Sequence, residues 1–282
     1  DDNVVGGIRE YRGKMEALAG VRSYLEGIRQ KHVVLADSDL IINIPMQDVY
    51  QAHIASGADI TAVCTSNVES DADVTFFRLD DTGRVQETLF PLRDRTGCHR
   101  SLEIYVLSKE LLLNLVDECM SHDLASFRGA VLQAKARELH IQGYVWDGYA
   151  AQIRSVKEYY DRSLELLDPA IRREIFPAGR PIHTKERNDA STYVDPAGVC
   201  CNCLVADGCT IEGTVENSIL FRGVSVAKGA EVKGCILMQD TTVSRDAVLQ
   251  NVIADKDVVV KESCTLIGHA NYPMTIAKGS KV

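Results

Sequence analysis

The sequence predicts an α/β domain with a mostly parallel sheet, followed by a hexapeptide β-helix. Three observations predict it. Residues 1–167 alternate helical stripes with short apolar strands. Four of the seven Pro (Pro169, Pro177, Pro181 and Pro196) crowd into residues 168–196, which read as a linker. Residues 197–282 repeat short aliphatic phrases at a fixed spacing.

In chain order, residues 15–28 place Met15, Leu18, Ala19, Val21, Leu25 and Ile28 on one helical stripe. Residues 33–36 are a continuous apolar run, the pattern of a buried parallel strand. Residues 47–55 read as a helix, 59–64 and 74–79 as strands, and Asp80-Asp81-Thr82-Gly83 as the turn after them. Residues 102–107 read as a strand. A helix carrying Leu111, Leu112, Leu115 and Val116 follows. Residues 127–139 read as a further helix, 140–144 as a strand and 155–167 as the last helix. Ligands of such domains sit beyond the carboxyl ends of the strands.

In the second part, Asn217-Ser218-Ile219-Leu220, Gly234-Cys235-Ile236-Leu237 and Asn251-Val252-Ile253-Ala254 recur in step. Val226, Val243 and Val260 keep the same step, as do Val232, Leu249 and Leu266. Three registers held over three coils specify a β-helix of about 17–18 residues per coil. Ile219, Ile236 and Ile253 are expected to form one of its inward ladders.

Composition narrows the function. Net charge is −9, from 31 basic and 40 acidic residues, which disfavours wholesale binding to nucleic acid or an anionic membrane. No apolar run approaches the ~18–20 residues of a membrane span. No basic flank with an apolar stretch near the start resembles a signal peptide. The sequence opens Asp-Asp rather than with Met, so it is expected to begin inside a longer gene product. Nine Cys, an odd number, are expected to be reduced thiols in a cytoplasm. The run Cys200, Cys201, Cys203, Cys209 lacks paired C-x2-C units, and the nearest His is His183. It reads as small buried hydrophobes rather than a zinc site.

An α/β domain joined to a hexapeptide β-helix is the pairing found in sugar-1-phosphate nucleotidyltransferases and in bifunctional enzymes with an acyltransferase β-helix. Acyl transfer by such a β-helix generally needs a general-base His in a coil or its loop. His269, in Gly-His-Ala-Asn-Tyr-Pro after the last clear coil, reads instead as a capping turn.

Tyr11-Arg12-Gly13, Val33-Val34-Leu35-Ala36, Ser101 with Ile104-Tyr105, His122-Asp123 and Ser155-Val156-Lys157-Glu158-Tyr159-Tyr160 occur in order at fitting spacings. Together they resemble glucose-1-phosphate adenylyltransferase (ADP-glucose pyrophosphorylase), and within it the GlgD-type subunit of bacterial glycogen synthesis. The resemblance runs along nearly the whole chain. It implies a nucleotidyltransferase-like α/β domain and a left-handed β-helix. It also implies a reaction in which glucose 1-phosphate and ATP give ADP-glucose and pyrophosphate, with Mg²⁺ held by carboxylates.

Several positions depart from that pattern. The family's Gly-rich phosphate loop has no counterpart, since Gly6-Gly7 lacks the following Gly and Arg; its strand and loop are expected outside this numbering. The two metal-binding Asp positions fall on Ser38 and Gln152, and Asp37, Asp39 and Asp147 are the nearby carboxylates. The sugar-contacting Glu-Lys-Pro is Leu89-Phe90-Pro91, and the Gly of Ser-Met-Gly-Ile-Tyr is Glu103. Gly13, Ser101, Tyr105 and Asp123 remain as substrate-site candidates. Arg180, His183, Lys185 and Arg187 are a candidate effector site for sugar phosphates. The resemblance therefore implies a regulatory subunit, assembled as a dimer or tetramer with a catalytic paralogue. An active adenylyltransferase using Asp37, Asp39 or Asp147 is the alternative.

Overall fold

The computed structural model describes residues 11–67, 74–90, 96–184 and 188–282. Gly6-Gly7, Pro91, Lys185 and Arg187 lie outside the described residues. The elements run α1 (Lys14–Gly20), α2 (Arg22–Gly27), β1 (His32–Ala36), β2 (Leu40–Ile42), α3 (Met46–Ser56), β3 (Ile60–Thr65), β4 (Phe76–Leu79) and β5 (Val85–Leu89). They continue with β6 (His99–Ser108), α4 (Lys109–Ser121), a π-helical turn (Arg128–Gln133), β7 (Ile141–Val145), β8 (Ala150–Gln152), α5 (Val156–Glu165) and α6 (Pro169–Ile175). The coils of the β-helix follow. By contacts there are two units: Asp1–Ser38 with Ile44–Gly148, and Asp39–Asn43 with Tyr149–Val282. The seam therefore falls at Gly148, ahead of the Pro-rich stretch, and α5 groups with the coils.

The first unit is an α/β fold around a six-stranded sheet, ordered β5-β4-β6-β3-β7 with β1 beside β6. The expected mostly parallel sheet is mixed: β3 and β7 pair in parallel, whereas β6 is antiparallel to β1, β3 and β4. The chain reverses through the short Asp80–Gly83 turn, which can join only antiparallel strands. A helix-length crossover, α3, separates β1 from β3, which run the same way. The 15–28 stripe forms two helices, because Val21 (φ −109°, ψ 16°) leaves the helical region. The 127–139 stripe becomes a π-helical turn followed by loop turns, with Val131 and Leu132 both fully buried. Tyr105, Phe77, Ile60, Leu107, Leu112, Leu132 and Met15 pack the core of this unit.

The second unit carries a β-helix with three five-stranded parallel faces. The register advances from Thr214 to Glu231 and Val248, from Ile219 to Ile236 and Ile253, and from Ser225 to Thr242 and Val259. The first coil is tighter, with Val199 beside Thr214 and Leu204 beside Ile219. The last is longer, with Val252 beside Met274, because the turn at His269–Tyr272 loops out. A turn was expected at Gly-His-Ala-Asn-Tyr-Pro, but as a cap after the last coil; it instead interrupts that coil, which resumes at Met274–Ile276.

One ladder is corrected. Ile219, Ile236 and Ile253 do stack in register, but none belongs to the inward cluster, and Ile236 and Ile253 bury against Tyr160 of α5. The inward positions are the next residues, Leu220, Leu237 and Ala254, alongside Val226, Val243, Val260, Val232 and Leu249. Neighbouring residues on a strand face opposite sides, and here both sides are covered. The Tyr160 hydroxyl donates to Gly234 O (2.6 Å) and lies 3.1 Å from Asn251 Oδ1. The recurring Asn/Gly that opens each phrase is a corner: Asn202, Asn217, Gly234 and Asn251 all have φ near +50° to +60°. Asn and Gly tolerate that left-handed conformation best. Of the four clustered Cys expected to be buried, Cys209 is buried and Cys203 half-buried, whereas Cys200 and Cys201 are exposed on the first coil.

Candidate functional site

In the first unit a polar cluster gathers around Lys14, at the start of α1. Its ammonium lies 2.8 Å from Asp37 Oδ1, just past the end of β1, and 3.3 Å from Glu103 Oε2 on β6. It also sits over the rings of Tyr105 (5.4 Å) and Phe127 (6.0 Å), favourable cation–π distances. Glu103 Oε1 accepts from the Thr75 hydroxyl at 3.1 Å, and Glu103 Oε2 from the Tyr105 hydroxyl at 3.1 Å. Ser101 Oγ accepts from Glu103 N (3.0 Å) and is 3.1 Å from the Tyr105 hydroxyl. Thr75, Ser101 and Tyr105 are fully buried. Burial, reinforced by the Glu103 carboxylate, raises the Tyr105 pKa well above the ordinary phenol value, so the hydroxyl keeps its proton as a donor.

A β-bulge creates this geometry. Val63 of β3 pairs with Ile104, but Cys64 pairs with Ser101, so Leu102 and Glu103 are extra on β6. Glu103 takes φ 54° there. Bulges re-aim side chains near sites, and their left-handed position usually holds Gly.

Of the candidate substrate residues, Ser101 and Tyr105 are brought together in this cluster. Gly13 caps α1 and is a packing residue: a Cβ there would stand 2.5 Å from Ala125 O. Asp123 follows α4 in a left-handed conformation (φ 56°) and pairs with Arg12 at 2.6 Å. The Arg12 hydrogen bond, then its charge, holds the Asp123 carboxyl below its usual range. Lys14 and Thr75 went unmarked in the sequence. Their partners Asp37 and Glu103 are distant along the chain, and only the bulge brings Glu103 to them.

At the residues expected to stand for the family's Glu-Lys-Pro, Leu89 packs with Val74, Phe76 and Cys98, and the Phe90 ring lies 4.0 Å from the Arg128 guanidinium carbon. This spot is apolar, apart from that stacked cation.

The residues expected at the metal positions do not fit Mg²⁺. Ser38 is exposed in the turn after β1 and offers a hydroxyl. Gln152, buried at the end of β8 opposite Leu40, offers an amide. Hard divalent cations favour carboxylate oxygens. Asp37 is engaged by Lys14, and Asp147 is exposed. Asp39 Oδ1 is buried with no hydrogen-bond partner among the described residues. No three His, Cys, Asp or Glu side chains converge as a metal site among the described residues.

In the second unit, Arg180 O accepts from Asn43 Nδ2 (3.0 Å), and Arg180 Nε is buried without a hydrogen-bond partner. His183 is exposed. With Lys185 and Arg187 outside the described residues, the candidate effector site is represented by these two alone. Elsewhere in this unit a cavity of about 800 Å³ is lined mainly by apolar side chains, among them Ile153, Val156, Met238, Ile253 and Ile276. Neither Arg180 nor His183 lines it.

Residues 189–272 match a family model described as GlmU-like, C-terminal hexapeptide. The chain is 32% identical over 256 residues to a glycogen biosynthesis protein GlgD of Bacillus subtilis, covering 91% of this chain and 65% of that protein. It is 34% identical over 204 residues to GlgD of Geobacillus stearothermophilus, covering 72% of this chain and 50% of that protein. A glucose-1-phosphate adenylyltransferase of Geobacillus stearothermophilus is 27% identical over 235 residues, covering 82% of this chain and 61% of that protein. The chain thus spans less than two thirds of the length of each of these relatives. No helix among the described residues is long and apolar enough to cross a membrane.

Proposed function

We propose, from the premise that this chain is a relative of the GlgD glycogen biosynthesis proteins, that it works as a GlgD-type subunit beside a catalytic glucose-1-phosphate adenylyltransferase. Its part is regulation and assembly rather than turnover. The observation that carries this reading is the pair of metal positions, where Ser38 and Gln152 supply a hydroxyl and an amide.

In the reaction, a phosphate oxygen of glucose 1-phosphate attacks the α-phosphorus of ATP, the α–β bond breaks, and pyrophosphate leaves. Charge on two phosphate groups must be neutralised. Removing one such stabilising contact typically costs about 2.7–4 kcal/mol of transition-state energy. Losing both metal carboxylates, with Phe90 in place of the family's Lys, leaves this chain little turnover. ATP and Mg²⁺ then belong to the catalytic paralogue. The chain is a dimer or tetramer alone and joins the paralogue in the cytoplasm as a mixed tetramer, and Arg180, His183, Lys185 and Arg187 receive sugar-phosphate effectors.

The test is an assay of the purified chain with ATP, Mg²⁺ and glucose 1-phosphate, alone and mixed with the paralogue. The expected result is negligible turnover alone and altered paralogue kinetics on mixing. Robust turnover alone overturns the reading. The unpartnered Asp39 Oδ1 favours a second reading, weak metal-dependent activity, in which Asp39→Asn abolishes whatever turnover the chain has alone.

A further inference from the structure

The donors around Glu103 are the set that a sugar phosphate requires. Lys14 offers an ammonium for a phosphate, and Thr75, Ser101 and Tyr105 offer buried hydroxyls for a polyol. All of them are already engaged. Glu103 N–H donates to Ser101 Oγ, Ser101 lies against Tyr105, and Tyr105 donates back to Glu103 Oε2, closing a ring. Lys14 and Thr75 donate to the same carboxylate. With Asp37 also on Lys14, one ammonium faces two carboxylates, so the cluster has excess negative charge.

The backbone at Glu103 strengthens this interpretation. A Glu at φ 54° pays a strain that Gly would not, of the kind that persists only where the surroundings hold it in place. At Glu103 the surroundings are the donors themselves. The bulge turns the side chain into the cluster, and the Glu103 side chain is only 14% exposed.

We propose that Glu103 is a resident anion that occupies the sugar-phosphate pocket of this unit, its carboxylate standing where a ligand's phosphate would meet Lys14. The pocket is thereby closed to glucose 1-phosphate, and the first unit contributes to the assembly without competing for substrate. The proposal rests on the reading of the chain as a non-catalytic GlgD-type subunit, and extends it from the metal positions to the sugar position. Glu103 adds a second barrier to the loss of the family's Lys at Phe90.

Isothermal titration of the purified chain with glucose 1-phosphate, and separately with inorganic phosphate, tests it. Wild type is expected to show no saturable binding. Glu103→Gly suits the left-handed backbone and frees the donors. It is expected to bind glucose 1-phosphate at least about ten-fold more tightly than wild type, about 1.4 kcal/mol, and more tightly than inorganic phosphate. Glu103→Gln, which keeps the shape and removes the charge, is expected to shift affinity in the same direction. Adding Lys14→Met to Glu103→Gly is expected to abolish the gain. Circular dichroism confirms that each variant is folded.

The proposal is overturned if wild type binds glucose 1-phosphate as tightly as Glu103→Gly. It is equally overturned if the folded Gly and Gln variants gain nothing, or if the gain survives loss of Lys14. These titrations use the chain alone, so their failure is separate from failure of the subunit reading, which appears only on mixing with the paralogue.

Discussion

A single hydroxyl, that of Tyr160, ties a helix to two successive coils, and its removal is expected to be felt. Tyr160→Phe leaves Gly234 O without its 2.6 Å donor in a buried place, at a cost of about 1–2 kcal/mol. The measurement is a lower denaturant midpoint at unchanged slope. Asp80 makes a second residue-scale prediction. Hydrogen bonds from the Thr82 hydroxyl, then from Arg84 N and Thr82 N, lower its pKa to about 2. A folded pKa below the unfolded value of ~3.9 gives stability that is present above pH ~4 and lost as pH falls toward about 2. Asp80→Asn is therefore expected to flatten the acid limb of the stability curve over that window, read by unfolding at stepped pH. Ser101 and Tyr105 were legible because a short motif carried them. Lys14 was not, since its role depends on a bulge that no local pattern announces. Arg128, stacked on Phe90, escaped for the same reason: the pairing spans two elements that periodicity treats separately.

At the level of elements, the repeat made the coils plain, but it did not say which of two adjacent apolar residues points inward. Leu237 and Ile236 are equally aliphatic, and both are fully buried. The helix that covers Ile236 lies far from it in sequence. Leu237→Ala is expected to cost about 2–5 kcal/mol by opening a cavity among the stacked coils. Ile236→Val is expected to cost about 0.5–1.5 kcal/mol, whereas Ile236→Asp buries a charge beneath α5 and costs several kcal/mol. Thermal melts of the three variants check the order, and equal melting of all three would refute the assignment of faces. α5 itself starts on a cap, with Ser155 Oγ accepting from Glu158 N (3.1 Å) and Glu158 Oε2 accepting from Arg154 N (2.6 Å). Ser155→Ala is expected to cost about 1 kcal/mol, seen in the same melts. In the α/β unit β1, β3, β4, β6 and β7 were legible from their apolar runs, whereas β5, which reads Val-Gln-Glu-Thr-Leu, carries no such run and went uncalled. The direction of β6 was not legible, because an apolar run reads the same whether its neighbours are parallel or antiparallel.

For the whole molecule, the sequence separated an α/β part from a β-helix, and the change in repeat made that division legible. The seam at Gly148 was less so, because α5 carries an ordinary helical stripe and only its contacts with Ile236 and Ile253 assign it to the coils. Light scattering is expected to find a dimer or tetramer of the chain alone and a mixed tetramer with the paralogue, closed assemblies being the usual outcome for soluble oligomers. A mass that never changes on mixing, with unchanged kinetics, would leave the chain without its proposed partner. The stacked coils also make chain length a counted quantity. Gly229 and Asp246 occupy equivalent left-handed corners one coil apart. Excising residues 229–245 would rejoin the chain at like positions, with every face shorter by one rung and every aliphatic column unbroken. Removing one residue fewer would shift each later strand by one place and turn its inward residues to the outside. Such a domain can therefore be shortened or extended only in whole turns, as a spiral stair changes height by the storey.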